Sequence, residues 1–329
     1  MARIAINGFG RIGRLFFRQA FGNSDLDIVA VNDLAEKENL AYLLKYDTVY
    51  GRFDKFDAKR IQFLQVKEPR DLPWKELKID IVVEATGALE SYEKAKAHLA
   101  AGAKRVVITA PAKDLDSAEG KTVLMGVNED ELKKTILSSN GSCTTNAASP
   151  VIQIMNETVG VKKAVLNTVH GVTATQNLVD GPVRGGKDFR RGRAADQNIV
   201  PGTTGAAHAV TRAIPDLENK FDGIALRVPV AAGSIADITF ISNRKTSVNE
   251  INDIFRKAER EPRWRGILKT TEEQIVSSDV LGEPYGAILD LNFTKVVDGD
   301  LVKILSWYDN EWGYAATLVK HVLAVASLI

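Results

Sequence analysis

Cysteine is almost missing from this chain: Cys143 stands alone in 329 residues. No internal disulfide can form, so a cross-linked extracellular scaffold is excluded, and a free thiol suits a reducing compartment. An excess of either charge is missing too, since 43 Lys and Arg face 42 Asp and Glu for a formal net charge of +1. That balance offers no whole-molecule attraction to nucleic acid or to an anionic membrane. No apolar run approaches the roughly 18 residues of a membrane span, and the opening Ala2–Asn7 is too short for a signal peptide. No Cys/His or carboxylate spacing supports a structural metal. Repeats, low-complexity tracts and Gly/Ser linkers are likewise absent. What remains is ordinary globular usage, 45% hydrophobic and 26% charged, in a chain long enough for two cores. A cytoplasmic location is the expectation.

The first half alternates strands and helices. Residues 3–7 read as a short buried strand, followed at once by Gly8-Phe9-Gly10-Arg11-Ile12-Gly13, a helical run over 14–21, and a second strand ending at Asp33. Each part has a job in holding a dinucleotide. Gly8 permits a tight turn, Gly10 lets backbone approach a pyrophosphate, and Gly13 lets helix and strand pack closely. The helix start then offers its free N–H groups and dipole to phosphate. Asp33, about 20 residues further on, is placed to accept hydrogen bonds from ribose hydroxyls. Its carboxylate would repel a 2′-phosphate, which favours NAD over NADP. Further strands are expected at 79–84, 105–109, 121–125 and 135–138, and helices at 36–46 and 92–101. The small-residue turn Ala85-Thr86-Gly87 suits a cofactor crevice. The whole argues for a Rossmann-type, doubly wound and mostly parallel sheet.

Beyond Cys143 the strands lengthen, at 161–172, 222–230, 234–243, 285–293 and 301–307, with helices over 145–158, 205–213 and 247–259. An α+β domain with an antiparallel sheet is the expectation. A final helix carries Trp312, Ala315, Ala316, Val319, Val322, Leu323 and Ala326 as a packing stripe. The chemistry centres on Ser142-Cys143-Thr144-Thr145-Asn146. A lone cysteine is ordinarily inert packing. Here small hydroxyl residues mark a helix start, which favours a thiolate. His170 ends an apolar run downstream as a candidate base, and Thr173, Thr175 and Arg227 suit an anionic substrate. Asn310, at a polar strand-to-helix turn, has the side chain to hold a carboxamide such as nicotinamide.

Taken together, Asn7–Arg14, Ser142–Asn146, His170 with Thr173–Gln176, Thr204–Ala207, Arg227-Val228-Pro229 and Trp307–Gly313 resemble phosphorylating glyceraldehyde-3-phosphate dehydrogenase. The motifs follow the family's order along the whole chain. The resemblance implies NAD-dependent oxidation of glyceraldehyde 3-phosphate to an acyl phosphate, with inorganic phosphate as second substrate, in a homotetramer. It makes Cys143 the nucleophile and His170 its base, paired as thiolate and imidazolium. It assigns Arg11, Ile12, Asp33, Thr109 and Asn310 to the cofactor. It assigns Ser142, Thr144, Thr173, Thr175, Arg191, Thr204, Gly205 and Arg227 to substrate and phosphate. The family's last helix returns to the cofactor domain, so 1–142 with 309–329 is expected to bind NAD and 143–308 to carry catalysis.

Some positions depart from the family pattern. Ala147 stands where a second cysteine often follows the nucleophile, so no neighbouring thiol can resolve a sulfenic acid. Val172 replaces a frequent aromatic, His208 a lysine, and Lys67 an arginine that usually contacts the cofactor. Val230-Ala231-Ala232-Gly233 is unusual. The basic cluster Arg184, Lys187, Arg190, Arg191 and Arg193 reads alone as a solvated loop; the resemblance makes it a loop at the subunit core. His98, His208 and His321 read as surface or packing residues. A sister enzyme acting on erythrose 4-phosphate, and a non-catalytic NAD-binding protein, are the alternatives in view.

Overall fold

Runs such as Ile81-Val82-Val83, each fully buried, form strands covered on both faces, the pattern of a parallel sheet. The computed structural model describes residues 1–55, 61–183 and 188–329. These divide into two units, Met1–Ser142 with Ala315–Ile329, and Cys143–Tyr314. The first unit runs β1 (Ala2–Asn7), α1 (Arg11–Ala20), β2 (Leu26–Asn32) and α2 (Lys37–Lys45), then a ribbon of β3 (Tyr46–Asp47) and β4 (Gly51–Arg52). It continues through β5 (Gln62–Leu64), β6 (Ile81–Glu84), α3 (Tyr92–Ala100), β7 (Arg105–Ile108), β8 (Gly120–Thr122) and β9 (Leu137–Ser139). Seven strands make one sheet in the order β5-β2-β1-β6-β7-β9-β8, and every pair in it is parallel. Phe9, Phe16, Phe17, Ile4, Ile6 and Val83 pack one face of it, and Trp74, Val82, Val106 and Leu137 belong to a second cluster.

The second unit holds α4 (Cys143–Thr158), β10 (Val161–His170), β11 (Val200–Thr203), α5 (Ala206–Ala213), β12 (Phe221–Arg227), β13 (Ser234–Ser242) and α6 (Val248–Arg260). β14 (Leu268–Thr271), β15 (Ala287–Asp290), β16 (Lys295–Val297) and β17 (Leu301–Tyr308) complete it, and α7 (Trp312–Ala326) begins in it. The sheet order is β11-β12-β10-β13-β17-β15-β14, with β16 beside β17. Most pairs are antiparallel as expected, but β10 with β12 and β14 with β15 run parallel. The reason is connectivity: β10 reaches β12 only after β11 and α5, long enough for a crossover rather than a hairpin. β13 alternates buried and half-buried residues, placing Ala236, Ile238 and Phe240 on the helix-covered face. α4 lies against β10, β13, β15 and β17 and also meets α5 and α6. On the other face Val165 and Ile224 stay 61% and 54% exposed.

Of the expected stripe on α7, Ala315, Ala316 and Val322 are buried and Val319, Leu323 and Ala326 pack half-buried on the core; Thr317, Leu318, His321 and Val325 are buried as well. The helix is apolar nearly all round, so its sequence does not single out one face. His321 is fully buried rather than superficial. Its Nδ1 lies 3.1 Å from Asn140 Oδ1 and its Nε2 2.8 Å from the Ser138 hydroxyl.

Burial pushes His321 down to about 3. The folded value lies below the unfolded value of about 6.5, so an unfolding chain takes up a proton as the pH falls. The stabilisation is complete above about 6.5 and is lost progressively on the way down to about 3. The melting temperature should therefore drop between about pH 7 and about pH 5. His321→Gln, which keeps hydrogen-bonding capacity without a titrating proton, should flatten that drop. Equal slopes for the two proteins would remove His321 from the linkage.

Candidate active site

Cys143 is the first residue of α4, where backbone N–H groups have no carbonyl of their own turn to bond. β10 ends at His170, and the imidazole, 2% exposed, faces the sulfur with Nε2 at 3.3 Å from Sγ. Its Nδ1 lies 2.7 Å from the Gly171 carbonyl oxygen. A carbonyl only accepts, so Nδ1 carries the proton and the Nε2 lone pair is turned to the thiol. Tyr308, buried at the end of β17, shares its hydroxyl with Thr144 at 2.8 Å and Thr168 at 2.7 Å, and sets its ring edge-on to His170.

Burial pushes the Cys143 thiol above its ordinary value, against the opposing pull of Arg227 and of the N–H groups of Thr144 and Cys143. Burial, reinforced by Arg227, pushes His170 down to about 3. Burial thus works against both charges of the expected thiolate–imidazolium pair, and Arg227 favours the thiolate while opposing the imidazolium.

Parallel pairing of β10 with β12 puts Arg227 directly beside His170. Arg227 also lines a recess with Thr173, Thr175, Gln176 and Arg191. The two threonine hydroxyls are 3.1 Å apart, and Gln176 Oε1 accepts from the Thr173 N–H at 3.1 Å. Arg227 Nη1 and Gln176 Nε2 are buried there with no partner among the described residues. Burial pulls the guanidinium below its ordinary value, and the positive charge of Arg191 adds to this. Orphaned donors beside converging cations are what an oxyanion satisfies.

In the first unit Asn7, Gly8, Gly10, Asp33, Lys67 and Thr86 line a pocket of about 560 Å³. The fingerprint glycines behave differently from one another. A Cβ on Gly8, at φ +95°, would lie 2.5 Å from Thr86 N, and one on Gly13 would lie 2.1 Å from Gly8 O. Gly10 meets nothing within 4 Å, which leaves its backbone open to a ligand. Asp33 is pinned by the N–H groups of Phe9 at 2.7 Å and Ala35 at 3.0 Å. Glycine clearance, a helix start and an oriented carboxylate fit a dinucleotide.

Behind this pocket runs a buried chain of hydrogen bonds that the sequence did not disclose. The Trp74 indole N–H donates to His98 Nδ1 at 3.0 Å, so the His98 proton sits on Nε2 and is donated to Glu84 Oε2 at 2.9 Å. Asn7 Nδ2 donates to the same oxygen at 2.6 Å, and Asn32 Nδ2 to Asn7 Oδ1 at 2.7 Å. Glu84 Oε1 accepts from the N–H and hydroxyl of Thr86. His98 is thus neither superficial nor mere packing, unlike the exposed His208.

Other expected residues lie elsewhere. Arg11 is ion-paired with Asp47 and stacked on Tyr50, and Ile12 packs on the core. Neither side chain lines the pocket, nor does half-buried Thr109. Ser142 immediately precedes α4, and the Thr144 hydroxyl is committed to Tyr308. Thr204 Oγ1 accepts the Ala206 N–H at 3.2 Å beside Gly205 at the start of α5, while Val200, Pro201, Gly202 and Thr203 wall the anion recess. Asn310 Oδ1 accepts from Gly233 N–H at 3.0 Å and Ser234 Oγ–H at 2.9 Å; neither bond uses its NH₂ group. In the basic cluster, Arg190 pairs with Asp188 and Arg193 with Asp180, while Arg184 and Lys187 lie outside the described residues.

Residues 2–92 match the family model described as the NAD binding domain of glyceraldehyde 3-phosphate dehydrogenase, and residues 142–310 match that of its C-terminal domain. The chain is 45% identical over 338 residues to glyceraldehyde-3-phosphate dehydrogenase of Streptomyces coelicolor, covering 99% of this chain and 98% of the relative. It is 45% identical to the enzyme of that name from Mycobacterium tuberculosis, covering 98% of each chain. It is 41% identical to glyceraldehyde-3-phosphate dehydrogenase 2 of Bacillus subtilis, covering 98% and 97%.

Because the chain has one cysteine, alkylation by iodoacetamide reports on Cys143 alone. Arg227 favours the thiolate, so Arg227→Gln should move the alkylation midpoint to higher pH and slow the reaction several-fold near pH 7. A midpoint that stayed put or fell would contradict this electrostatic assignment.

Proposed function

The chain belongs to the glyceraldehyde 3-phosphate dehydrogenase family, and from that premise we propose how its residues oxidise and phosphorylate D-glyceraldehyde 3-phosphate to 1,3-bisphosphoglycerate. It is a glycolytic, NAD-dependent oxidoreductase acting on an aldehyde group. The observation that carries the residue assignment is the His170 Nε2 lone pair 3.3 Å from Cys143 Sγ, beside the orphaned Arg227 donor.

Cys143 attacks the aldehyde carbon as His170 takes the thiol proton and passes it to the former carbonyl oxygen. The N–H groups at the start of α4 stabilise negative charge developing on that oxygen. NAD, when bound, supplies the acceptor for the hydride that leaves the hemithioacetal carbon. His170 Nε2 accepts the hydroxyl proton in the same step, and a thioester on Cys143 remains. Inorganic phosphate then attacks the acyl carbon, the S–C bond breaks, and the departing sulfur takes back the proton held on His170 Nε2. Thr173, Thr175, Arg191 and Arg227 hold the anionic groups, which explains why two guanidiniums converge near one carbon. Ser142, Thr144, Thr204 and Gly205 shape that surface. Gly8, Gly10, Gly13, Arg11, Ile12, Asp33, Lys67 and Thr109 serve the cofactor from the first unit, and Asn310 presents its NH₂ group to the nicotinamide carboxamide.

The open sheet face of the second unit, with Val165 and Ile224 exposed, supports assembly as a homotetramer. Among the described residues no helix is long and apolar enough to cross a membrane, consistent with the proposed cytoplasmic location.

NADH absorbance should rise steadily with glyceraldehyde 3-phosphate, NAD and phosphate, and should vanish in Cys143→Ser. Without phosphate a single burst is expected. Steady phosphate-independent turnover would point to hydrolysis instead, and activity confined to erythrose 4-phosphate would move the substrate assignment. Ile224→Asp should convert the assembly to a smaller species by light scattering; an unchanged mass would remove this face from the interface.

A further inference from the structure

One buried hydroxyl connects two parts of the site that the mechanism treats separately. Ser234, 2% exposed, opens β13 opposite Tyr308 of β17. Its Oγ–H donates to Asn310 Oδ1 at 2.9 Å, and the same oxygen accepts the Gly171 N–H at 3.1 Å. Gly171 is the residue whose carbonyl holds the His170 Nδ1 proton. The neighbouring Gly233, at φ +88°, adds its N–H to Asn310 Oδ1 at 3.0 Å. A Cβ on Gly233 would lie 2.3 Å from Ser277 O, so this N–H is aimed by a backbone conformation that a larger residue does not fit. The Asn310 amide oxygen is therefore held by groups that also hold the loop after His170, and neither bond uses the NH₂ group.

We propose that Ser234 is a positioning residue that keeps the carboxamide-binding end of Asn310 in register with the His170 base. The inference rests on reading Asn310 as the nicotinamide clamp. A hydroxyl both accepts and donates, so it joins the two with a fixed polarity. Alanine leaves Gly171 N–H without that partner and Asn310 Oδ1 with the Gly233 N–H alone, so the amide is held by one bond in place of two.

The test separates nicotinamide from the rest of the cofactor. Calorimetric titration with NAD and with ADP-ribose, which lacks the nicotinamide, is run on the full-length protein, Ser234→Ala, Asn310→Ala and the double variant. Ser234→Ala and Asn310→Ala should each weaken NAD about 10-fold and leave ADP-ribose unchanged, and the double variant should be no weaker than the weaker single one. Hydride from 1-deuterated substrate should also reach the minority face of the ring more often in Ser234→Ala, read by NMR of the reduced cofactor. Ser234→Thr, which keeps the hydroxyl, should restore both readouts. If Asn310→Ala weakens NAD selectively while Ser234→Ala does not, the proposal is overturned and the Asn310 reading stands. If neither does, the Asn310 reading fails and takes the proposal with it. Equal weakening of NAD and ADP-ribose would mean a general structural role, also against it. Should Ser234→Ala not fold, Ser234→Cys, with a weak donor of similar shape, carries the same readouts.

Discussion

The proton on His170 Nδ1 is the constraint that the site is built around. It is held by the Gly171 carbonyl, one residue along the chain, and it turns the other ring nitrogen into a base. An imidazole free to rotate or to exchange tautomers would present N–H to the sulfur for part of the time. The arrangement is stiff because His170 ends a strand paired on both sides, with β12 and β13. The same pairing brings Arg227 alongside. The base, the cation and the loop that fixes the tautomer are thus consequences of one strand register.

Burial sets the chemistry of that register. It pushes the thiol up and the imidazole down, and it leaves Arg227 Nη1 and Gln176 Nε2 without partners among the described residues. An unpartnered buried donor costs more than a hydrogen bond returns, so a site of this kind is poised for an anion. An anion bound in the recess would offset the repulsion between Arg191 and Arg227.

The cofactor pocket shows a related economy. Asn7, Glu84 and Thr86 bond to one another rather than waiting for a ligand, and Trp74 fixes the polarity of the chain through His98. The pocket wall is preorganised by groups far apart in sequence, which lowers the ordering cost of binding.

Much of this was legible beforehand. Alternating strands and helices gave the parallel sheet, because strands buried on both faces must be apolar throughout. The glycine fingerprint with Asp33 pointed to a stretch where the structure opens a pocket lined by Gly8, Gly10 and Asp33, because close backbone approach admits no Cβ. Cys143 and His170 announced themselves by residue type, and the anion recess by its threonines and arginines. Local pattern did not reveal the parallel pairing of β10 with β12, since register depends on crossovers. The pressure of burial on Cys143 and His170 also escaped it, since desolvation is a property of surroundings, not of neighbours in sequence. The roles of His98, Glu84, Tyr308 and Ser234 escaped for the same reason: each acts through partners that only the folded chain brings within hydrogen-bonding distance. The sequence by itself determined which side chains are available for reaction and which ligand classes they suit, because those follow from side-chain chemistry. Tertiary structure alone decided their protonation, orientation and mutual support, because these depend on distance and on the exclusion of water.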